Sequence, residues 1–383
     1  MNLISKLPDV GTTIFTIMSQ MATDYNAINL SQGYPDYDPP LALKERLNWH
    51  VNNGHNQYAP LAGVAALREQ CAWKVQEYYG SEADWDTEVT ITPGATEAIY
   101  CAITAIVRPG DEVIMFDPVY DCYDPAVRLS GGVPIHLELC IPEYSIDWEG
   151  VEGAIGPKSK VIIINFPHNP TGVIMSDDDM TRLEAIAVKY DLFVISDEVY
   201  EHFVFDGQKH KSVLSRPKLA RRSFAIFSFG KSFHATGWKT GYVVAPELLT
   251  KELRAVHQFV TFVAFTPVQF ALADYMASNP EHLQSLPSFY EKKRDMFCTA
   301  LKGSRFTIKP SKGTFFQLAD YSRIADIPDT AFVEYLTKEV GVAAIPVSVF
   351  YDDSEHQNSR IIRFCFCKED LTLVRAAQSL AAL

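Results

Sequence analysis

The stretch that decides the fold begins with the apolar run Val161-Ile162-Ile163-Ile164-Asn165. A segment of helical periodicity follows from Ser176 to about Tyr190, and the serine stands three residues before Asp179, which is the spacing of a capping box. A second apolar run, Leu192-Phe193-Val194-Ile195-Ser196, comes directly after it. Strand, helix and strand in this order are typical of a βαβ unit, so the stretch predicts neighbouring parallel strands.

The same alternation continues on both sides of this unit. A helix is predicted at Thr96–Val107, because its isoleucines recur at helical spacing on one face. The sequence therefore predicts an α/β fold with a mostly parallel central sheet flanked by helices. The further strands are predicted at Glu88–Thr92, Glu112–Phe116, Phe224–Ser228 and Thr240–Ala245.

The two flanks of the chain have a different character. Residues 1–58 are rich in Pro, Gly and Asn, and they read as an irregular arm. From about Glu281 a long helical pattern leads to strands near Phe306–Leu318, Val342–Ile345 and Arg360–Cys367 and then to a closing helix, a succession typical of a smaller α+β domain. We predict an arm and part of a small domain at 1–45, a large cofactor-binding domain at 46–280 and a small C-terminal domain at 281–383.

Composition limits the class of protein. The chain has 383 residues, 47% of them hydrophobic, which is enough for one large domain and a smaller one. It contains no run of the roughly 20 apolar residues that a membrane helix needs, and no secretory signal is evident. The net charge of −13 disfavours binding to nucleic acid or to an anionic membrane. We expect a soluble cytoplasmic protein.

Seven cysteines are scattered along the chain. An odd number without an export signal argues against a disulfide framework. Cys365 and Cys367 alternate within an apolar run, with no second Cys or His pair nearby, so two packed thiols are favoured over a metal site. No metal is expected in this protein.

Polar and aromatic residues directly follow five of the predicted strands. Ligands of open α/β sheets bind beyond the carboxyl ends of the strands, so these groups are expected at one edge of the sheet. In chain order they are Thr92-Pro93-Gly94-Ala95-Thr96, Asp117-Pro118-Val119-Tyr120, Asn165–Gly172, Asp197-Glu198-Val199-Tyr200 and Ser228-Phe229-Gly230-Lys231.

Each of these groups has a simpler interpretation when it is taken alone. Thr96 suits the cap of a helix, and Asp197 suits a helix N-cap in the same way. Asn169-Pro170-Thr171-Gly172 has the composition of a common turn. Lys231 has the default interpretation of any lysine, which is a surface residue. Their occurrence together at five strand ends favours a shared function.

That function is the binding of a phosphorylated, heteroaromatic aldehyde. A helix that opens with Ala95 and Thr96 suits a phosphate, to which Ser228 and Lys239 add a hydroxyl and a cation. An acidic group such as Asp197 can pair with a protonated ring nitrogen, and the hydroxyl or amide donors of Tyr200 and Asn169 can bind a phenolate oxygen. The aromatic ring of Tyr120 can stack on a heteroaromatic ring, and Lys231 can form an imine with an aldehyde. These features indicate pyridoxal phosphate, and the residues that carry them are Asp197, Asn169, Tyr200, Tyr120 and Lys231.

The chain resembles the class I and II aminotransferases, which are fold-type I pyridoxal-phosphate enzymes. Within them it is most similar to the kynurenine aminotransferase and glutamine transaminase group, and above all to bacterial methionine aminotransferases. The segments that carry the resemblance are Asn169-Pro170-Thr171-Gly172, Ser196-Asp197-Glu198-Val199-Tyr200, Ser228-Phe229-Gly230-Lys231-Ser232-Phe233 and Gly237-Trp238-Lys239-Thr240-Gly241.

The resemblance implies a role for each site residue in a ping-pong transamination. Lys231 forms the imine with the cofactor, Asp197 binds its ring nitrogen, and Asn169 and Tyr200 contact its phenolic oxygen. Arg363 pairs with the substrate carboxylate, which Gly33 and Asn165 also contact, while Phe15 lies where relatives often have tryptophan. The phosphate is held by Ala95, Thr96, Ser228 and Lys239, Tyr120 stacks on the ring, and Tyr58 reaches the phosphate of the other subunit of a homodimer.

Substrate choice is the least determined feature. No motif indicates a second arginine for an acidic side chain, so neutral donors are favoured: methionine first, then glutamine, phenylalanine and tyrosine. A β-lyase that acts on cystathionine or cysteine conjugates would use the same residues and stays open as an alternative. A cofactor-sensing transcriptional regulator is disfavoured, because the family resemblance begins within the first thirty residues and the chain is acidic.

Overall fold

The computed structural model describes residues 4–352 and 360–383. Residues 1–3 of the predicted arm and residues 353–359 of the predicted small domain lie outside the described part. The helices are α1 (Ile14–Asp24), α2 (Leu41–Asn52), α3 (Ala65–Tyr79), α4 (Ala95–Ile106), α5 (Tyr123–Leu129), α6 (Trp148–Ala154), α7 (Asp177–Lys189), α8 (Pro217–Ala220), α9 (Phe229–Ser232), α10 (Glu247–Val260), α11 (Thr266–Ser278), α12 (Glu281–Ala300), α13 (Asp329–Tyr335) and α14 (Asp370–Ala381). The strands are β1 (Ile28–Asn29), β2 (Val89–Thr92), β3 (Glu112–Asp117), β4 (Val133–Glu138), β5 (Ser159–Asn165), β6 (Phe193–Asp197), β7 (Ser223–Ser228), β8 (Gly241–Val244), β9 (Phe316–Asp320), β10 (Val342–Ala343), β11 (Ile345–Pro346) and β12 (Ile361–Cys365).

A seven-stranded sheet in the order β2-β8-β7-β6-β5-β3-β4 forms the centre of the molecule. Strand β8 runs antiparallel to both of its neighbours, and the pairs from β7 to β4 are parallel. The predicted fold, a mostly parallel sheet flanked by helices, is confirmed. All six predicted strands of this sheet are present, and their ends differ from the predicted ones by at most two residues.

The apolar runs of the strands are continuous because both faces of the sheet are covered. Along β5, Ile162 and Ile164 belong to one buried apolar cluster, whereas Val161 and Ile163 belong to the other. A strand between two layers of helices has no solvent face, so its sequence does not alternate between apolar and polar residues. Strand β4 was not predicted. It lies at the edge of the sheet, where its residues are half-buried or exposed.

The capping box predicted for the central helix is present. The Ser176 hydroxyl oxygen accepts a hydrogen bond from the Asp179 backbone N–H, and the Asp179 carboxylate accepts one from the Ser176 backbone N–H. Helix α7 therefore begins at Asp177, as the sequence indicates, and ends at Lys189.

The prediction of an irregular arm over residues 1–58 is wrong in two places. Helix α1 begins after Thr13, whose side chain accepts a hydrogen bond from the Thr16 backbone N–H, and it buries Met18 and Ala22. Helix α2 follows Pro40 and buries Leu43. The Pro, Gly and Asn residues that suggested a loop lie mainly between these short helices and after them. Because these residues are frequent over the whole segment, its composition did not indicate the two helices.

The C-terminal part forms its own three-stranded antiparallel sheet in the order β11-β12-β9, and β1 pairs with β10. The strand expected at Phe306–Leu318 begins only at Phe316. The later start of the strand follows from the close packing at Gly313, where an added Cβ would lie 2.8 Å from the Phe203 carbonyl oxygen. The chain is therefore packed against the loop at Phe203 before the strand begins.

The division at residues 45 and 280 stays a prediction. Residue 45 lies within helix α2, which is continuous from Leu41 to Asn52. Among the described residues, no helix combines the length and apolar character needed to cross a membrane.

Candidate active site

One cavity of about 280 Å³ lies beyond the carboxyl ends of β5, β6 and β7, next to the start of α4. It collects side chains from distant parts of the sequence, as the position of ligand sites in open α/β sheets predicts. All of the predicted site residues except Tyr58 line it: Phe15, Gly33, Ala95, Thr96, Tyr120, Asn165, Asn169, Asp197, Tyr200, Ser228, Lys231, Lys239 and Arg363.

The start of α4 forms an end of the cavity that suits an anion. Gly94 is the N-cap, with φ of 80°, and no side chain caps the helix, so Thr96 does not act as the cap. The first N–H groups of α4 are therefore left for a ligand. Gly241 allows strand β8 to approach this end, because an added Cβ would lie 3.0 Å from the Ala95 nitrogen. Lys239 adds a positive charge beside Gly94.

Lys231 lies on the short helix α9, which directly follows β7, and its amine donates a hydrogen bond to the Gly33 carbonyl oxygen at 2.9 Å. Burial lowers the pKa of this amine below its usual value. The environment thus favours the neutral form of the lysine, which is the form that attacks a carbonyl carbon.

Asp197 ends strand β6 and is almost fully buried. Burial raises the pKa of its carboxyl group to about 6, and a hydrogen bond from the Tyr123 hydroxyl at 2.5 Å acts in the opposite direction. At neutral pH the carboxylate is therefore mostly ionised although it is buried. Such a group attracts a ligand cation strongly.

Two asparagines join the strand ends around the cavity. The Asn165 amide donates to the Asp197 carbonyl oxygen at 3.1 Å and accepts from the Asn169 backbone N–H at 2.9 Å. The Asn169 side-chain oxygen accepts from Arg363 at 2.7 Å, which leaves its amide nitrogen as the donor side. Asn165 thus holds the backbone of Asp197 and Asn169 in place, in addition to lining the cavity.

Arg363 is a fully buried cation whose described hydrogen bonds go to uncharged oxygens, those of Asn169 and of the Ser31 carbonyl group at 2.9 Å. Its Nε has no hydrogen-bond partner within the described residues. The guanidinium lies 3.9 Å from the ring centroid of Phe316. Burial lowers the pKa of Arg363 to about 10, which still leaves it charged at neutral pH. A buried cation of this kind is a binding site for an anion.

Aromatic side chains form the remaining walls. Phe15 lies 5.3 Å from the Arg363 guanidinium, measured to the ring centroid. Burial raises the pKa values of Tyr120 and Tyr200 well above their ordinary value. Both hydroxyl groups are therefore protonated donors at neutral pH.

Tyr58 is the one predicted site residue that lies away from the cavity. Its side chain is 82% exposed and packs edge-on against Phe262, with 5.5 Å between the ring centroids. It borders a separate hollow formed by residues 56–58 and 263–267.

Several residues at the site were not predicted from the sequence, and three of them contact predicted site residues. Phe316 supplies the face on which Arg363 stacks, Tyr123 supplies the hydrogen bond to Asp197, and the Gln32 amide donates to the Phe15 carbonyl oxygen at 2.8 Å. Tyr123 is three residues after Tyr120, and this closeness to a predicted site residue was a signal that could have found it. Phe316 lies in an apolar stretch that has no polar signature.

The cavity combines an uncapped helix start with an added cation, a buried carboxylate, a lysine whose pKa is lowered and a buried arginine. These donors fit pyridoxal phosphate. The glycines support the fit, because a Cβ at Gly241 would crowd the backbone N–H of Ala95 at the anion end.

Comparison with known proteins agrees with this class of site. Residues 25–380 match the family model for aminotransferase class I and II, and the chain belongs to this family. It is 50% identical over 379 residues to methionine aminotransferase of Escherichia coli, with 99% of this chain and 98% of that protein covered. It is 33% identical to human kynurenine–oxoglutarate transaminase 3, with coverage of 98% and 89%. The crystal structure of an Escherichia coli protein identified as having a methionine aminotransferase function superposes with a TM-score of 0.97 at 49% identity over the full length of both chains.

The chain is therefore an aminotransferase, and the predicted family is confirmed. The family and its structural neighbours share the pyridoxal-phosphate-dependent fold, so pyridoxal phosphate is the expected cofactor.

Replacing Tyr123 by Phe is expected to shift the pH dependence of cofactor binding. The hydrogen bond from Tyr123 lowers the pKa of Asp197, so its loss raises that pKa further, and the carboxylate becomes protonated at a higher pH. We expect the affinity for pyridoxal phosphate to fall about tenfold at pH near 6 to 7, and the deficit to shrink above about pH 8. Titration of the apoenzyme at several pH values measures this.

The matched control for this experiment is Tyr190→Phe. The Tyr190 hydroxyl also binds a carboxylate, that of Glu152 at 2.9 Å, but Tyr190, the C-cap of α7, is not among the described residues that line the cavity. Parallel pH profiles for Tyr123→Phe and the unmodified enzyme would contradict the role given to Tyr123.

Proposed function

We propose that the protein is a pyridoxal-phosphate-dependent aminotransferase that moves the amino group of a neutral L-amino acid, methionine or an aromatic one, to a 2-oxo acid. The observation that carries the proposal is the convergence of Lys231, Asp197 and Arg363 on one cavity. They supply a nucleophilic amine, a cation-binding carboxylate and an anion-binding guanidinium, which are the three groups that this reaction requires of the protein.

Different residues of the cavity would bind different groups of the cofactor. The backbone N–H groups of Ala95 and Thr96, with the side chains of Ser228 and Lys239, would hold the phosphate. Asp197 would keep the ring nitrogen protonated, and Tyr120 would lie against the ring. The hydroxyl of Tyr200 and the amide nitrogen of Asn169 would donate to the phenolic oxygen. The geometry supports these roles, because all of these residues border the same space.

Lys231 has the central chemical role. When bound, pyridoxal phosphate supplies an aldehyde that condenses with amines and a ring that withdraws electrons from the substrate Cα. Burial lowers the pKa of the Lys231 amine and so favours its neutral form, in which Nζ would be able to accept a proton from the substrate Cα and to donate it again. The Asp197 carboxylate would stabilise a positive charge on the cofactor ring.

Arg363 would bind the substrate carboxylate. Its buried charge, its free Nε and its position against Phe316 prepare a planar fork for a planar anion. Gly33 and Asn165 would lie near the same carboxylate. The Gly33 carbonyl oxygen accepts a hydrogen bond from the Lys231 amine, so the lysine lies next to a residue proposed to contact the substrate carboxylate.

The remaining walls favour a neutral side chain. Arg363 is the only arginine among the described residues that line the cavity, so an acidic side chain finds no second guanidinium. Phe15, Ile99 and Phe316 supply apolar surface. The Escherichia coli relative named methionine aminotransferase supports methionine as the first donor to test.

A homodimer with shared active sites accounts for the position of Tyr58. Its side chain is largely exposed and lies beside Phe262, which is 40% exposed, so together they present an aromatic patch that a second copy would cover. In such a dimer Tyr58 would donate its hydroxyl to the phosphate in the partner's cavity.

A half-reaction assay with and without Lys231 tests the proposed function. The enzyme with bound pyridoxal phosphate is mixed with methionine, phenylalanine, tyrosine, glutamine or aspartate, and the spectral change of the cofactor is followed. We expect the fastest change with methionine, a slow one with aspartate, and none with Lys231→Ala. Borohydride reduction followed by mass spectrometry is expected to attach the cofactor to Lys231. Lys209→Ala, at an exposed lysine, is the control.

Transamination at a normal rate by Lys231→Ala would overturn the proposal. Release of pyruvate and ammonia from cystathionine without an oxo-acid acceptor would indicate a β-lyase instead.

Arg363→Lys is expected to weaken substrate binding while the cofactor stays bound. A point charge replaces the planar fork, so kcat/KM for methionine is expected to fall about 10- to 100-fold, mainly through KM. Steady-state kinetics with a parallel measurement of cofactor content checks this. Arg360→Lys, on the same segment but paired with Asp326, is the control. An unchanged KM for Arg363→Lys would place the substrate carboxylate elsewhere.

Mixing two defective variants tests the shared site. Lys231→Ala and Tyr58→Ala homodimers are each expected to be impaired. After subunit exchange, each heterodimer contains one site with both native residues, so activity is expected to rise above that of either variant alone. Mixing without any recovery, or a monomer by sedimentation, would contradict the proposed role of Tyr58.

A further inference from the structure

Two thiols lie together next to the active site. Cys365 is the last residue of β12 and Cys367 follows two positions later, and both are completely buried. Their sulfur atoms are 3.1 Å apart. The predicted pair of packed thiols is thus present, and the separation of the sulfurs is that of a hydrogen-bonded pair.

The geometry of this pair is compatible with a disulfide bond. An S–S bond of about 2.05 Å requires the two sulfurs to approach by about 1 Å. Cys367 lies two residues beyond the end of β12, and Cα atoms two residues apart in an extended chain are roughly 6.7 Å apart, near the upper limit of about 6.8 Å for disulfides. A bond formed here would be strained, and strained disulfides are the readily reduced, regulatory kind.

The surroundings make the two sulfurs chemically different. Burial raises the pKa of both thiols, but at Cys365 the hydrogen bond from Cys367 and the nearby Lys368 ammonium outweigh it and lower the pKa. At Cys367 burial and the adjacent Cys365 sulfur raise the pKa well above its ordinary value. Cys365 is therefore the sulfur that ionises first, beside a thiol that can attack it after oxidation.

The segment that carries the thiols is attached to both sides of the substrate site. The backbone N–H of Cys365 donates to the Leu30 carbonyl oxygen at 2.8 Å, and that of Phe366 donates to the Phe315 carbonyl oxygen at 2.9 Å. The Lys368 ammonium donates to the Tyr34 carbonyl oxygen at 2.7 Å.

These bonds tie the thiol segment to the binding residues. Leu30 lies three residues before Gly33 and Tyr34 directly after it, and the Gly33 carbonyl oxygen accepts a hydrogen bond from Lys231. Phe315 precedes Phe316, on which Arg363 stacks. Arg363 itself lies on β12 two residues before Cys365, and side chains two apart in a strand share a face. Contraction at the thiol pair would displace the groups that position the substrate carboxylate.

We propose that Cys365 and Cys367 form a reversible disulfide with peroxides and that this bond lowers the affinity of the enzyme for its amino acid substrate. The Cys365 thiolate attacks one peroxide oxygen, the O–O bond breaks, and hydroxide leaves, which gives a sulfenic acid. The Cys367 sulfur then attacks the Cys365 sulfur, the S–O bond breaks, and water leaves. In total, two thiols and one hydrogen peroxide give one disulfide and two waters, and a dithiol reductant reverses the change.

The experiment treats the enzyme loaded with pyridoxal phosphate with hydrogen peroxide, removes the peroxide with catalase and alkylates the free thiols. Removal is necessary because 2-oxo acids themselves react with peroxide. Trypsin then releases the peptide Phe364–Lys368, which contains both cysteines. We expect an unalkylated peptide that is lighter than the dithiol form by two hydrogens.

The kinetic result expected is a fall in kcat/KM of about 10- to 100-fold, carried mainly by KM, because a displacement of about 1 Å at a binding group has effects of this size. Dithiothreitol is expected to restore the original value, and the cofactor content is expected to stay constant.

Two variants separate this site from other thiols. Cys367→Ala is expected to keep its activity and to lose the response to peroxide, whereas Cys140→Ala, at an exposed cysteine, is expected to respond like the unmodified enzyme. Cys367→Ser, which keeps the size of the side chain, replaces Cys367→Ala if the latter does not fold.

Three results would overturn the proposal. They are a peptide alkylated at both sulfurs after the peroxide effect has developed, an unchanged peroxide effect in Cys367→Ala, and a disulfide that forms without any change in kcat/KM. The peptide result depends on the thiols alone, so it is distinguishable from a failure of the proposed aminotransferase substrate.

Discussion

The register of the parallel strands β5, β6 and β7 is the constraint on which the rest of the structure depends. Asn165 pairs with Asp197, so β5 and β6 end at one level, and Asp197 pairs with Ile226, so β7 extends two residues further, to Ser228. A shift of one residue would turn the side chain of Asp197 to the opposite face of the sheet. The strands are apolar on both faces and lie between two layers of helices, and this burial fixes the register.

The charges within the cavity are held differently from other buried charges in the protein. Outside the residues that line the cavity, Lys74 and Glu201 form a buried ion pair, to which the hydroxyl groups of Tyr79 and Tyr242 add hydrogen bonds. In the cavity, by contrast, the described bonds of Arg363 go to uncharged oxygens, and its Nε has no partner within the described residues. A buried charge without a counterion costs free energy, and this cost is offset by a ligand of opposite charge.

The same contrast explains the perturbed pKa values. Burial raises the pKa of Asp197 to about 6 and lowers that of Lys231. Both shifts bring groups that are normally charged at neutral pH closer to a neutral form. A lysine with a lowered pKa can act as a general base, and an aspartate with a raised pKa changes its protonation when a cation binds. The packed strands and helices around the cavity provide the stability that allows these groups to stay in unfavourable surroundings.

The sequence by itself determined the α/β class, the approximate strand ends and a set of site residues of which all but Tyr58 line the cavity, because continuous apolar runs and the polar groups after them are local signals. The tertiary structure decided what depends on residues far apart in the chain. It placed helices α1 and α2 where an arm was predicted, stacked Phe316 on Arg363, bound Tyr123 to Asp197 and set Tyr58 outside the cavity of its own chain. These contacts join segments separated by tens to hundreds of residues. No local pattern encodes them, since they follow from the packing of surfaces that form only when the sheet is complete.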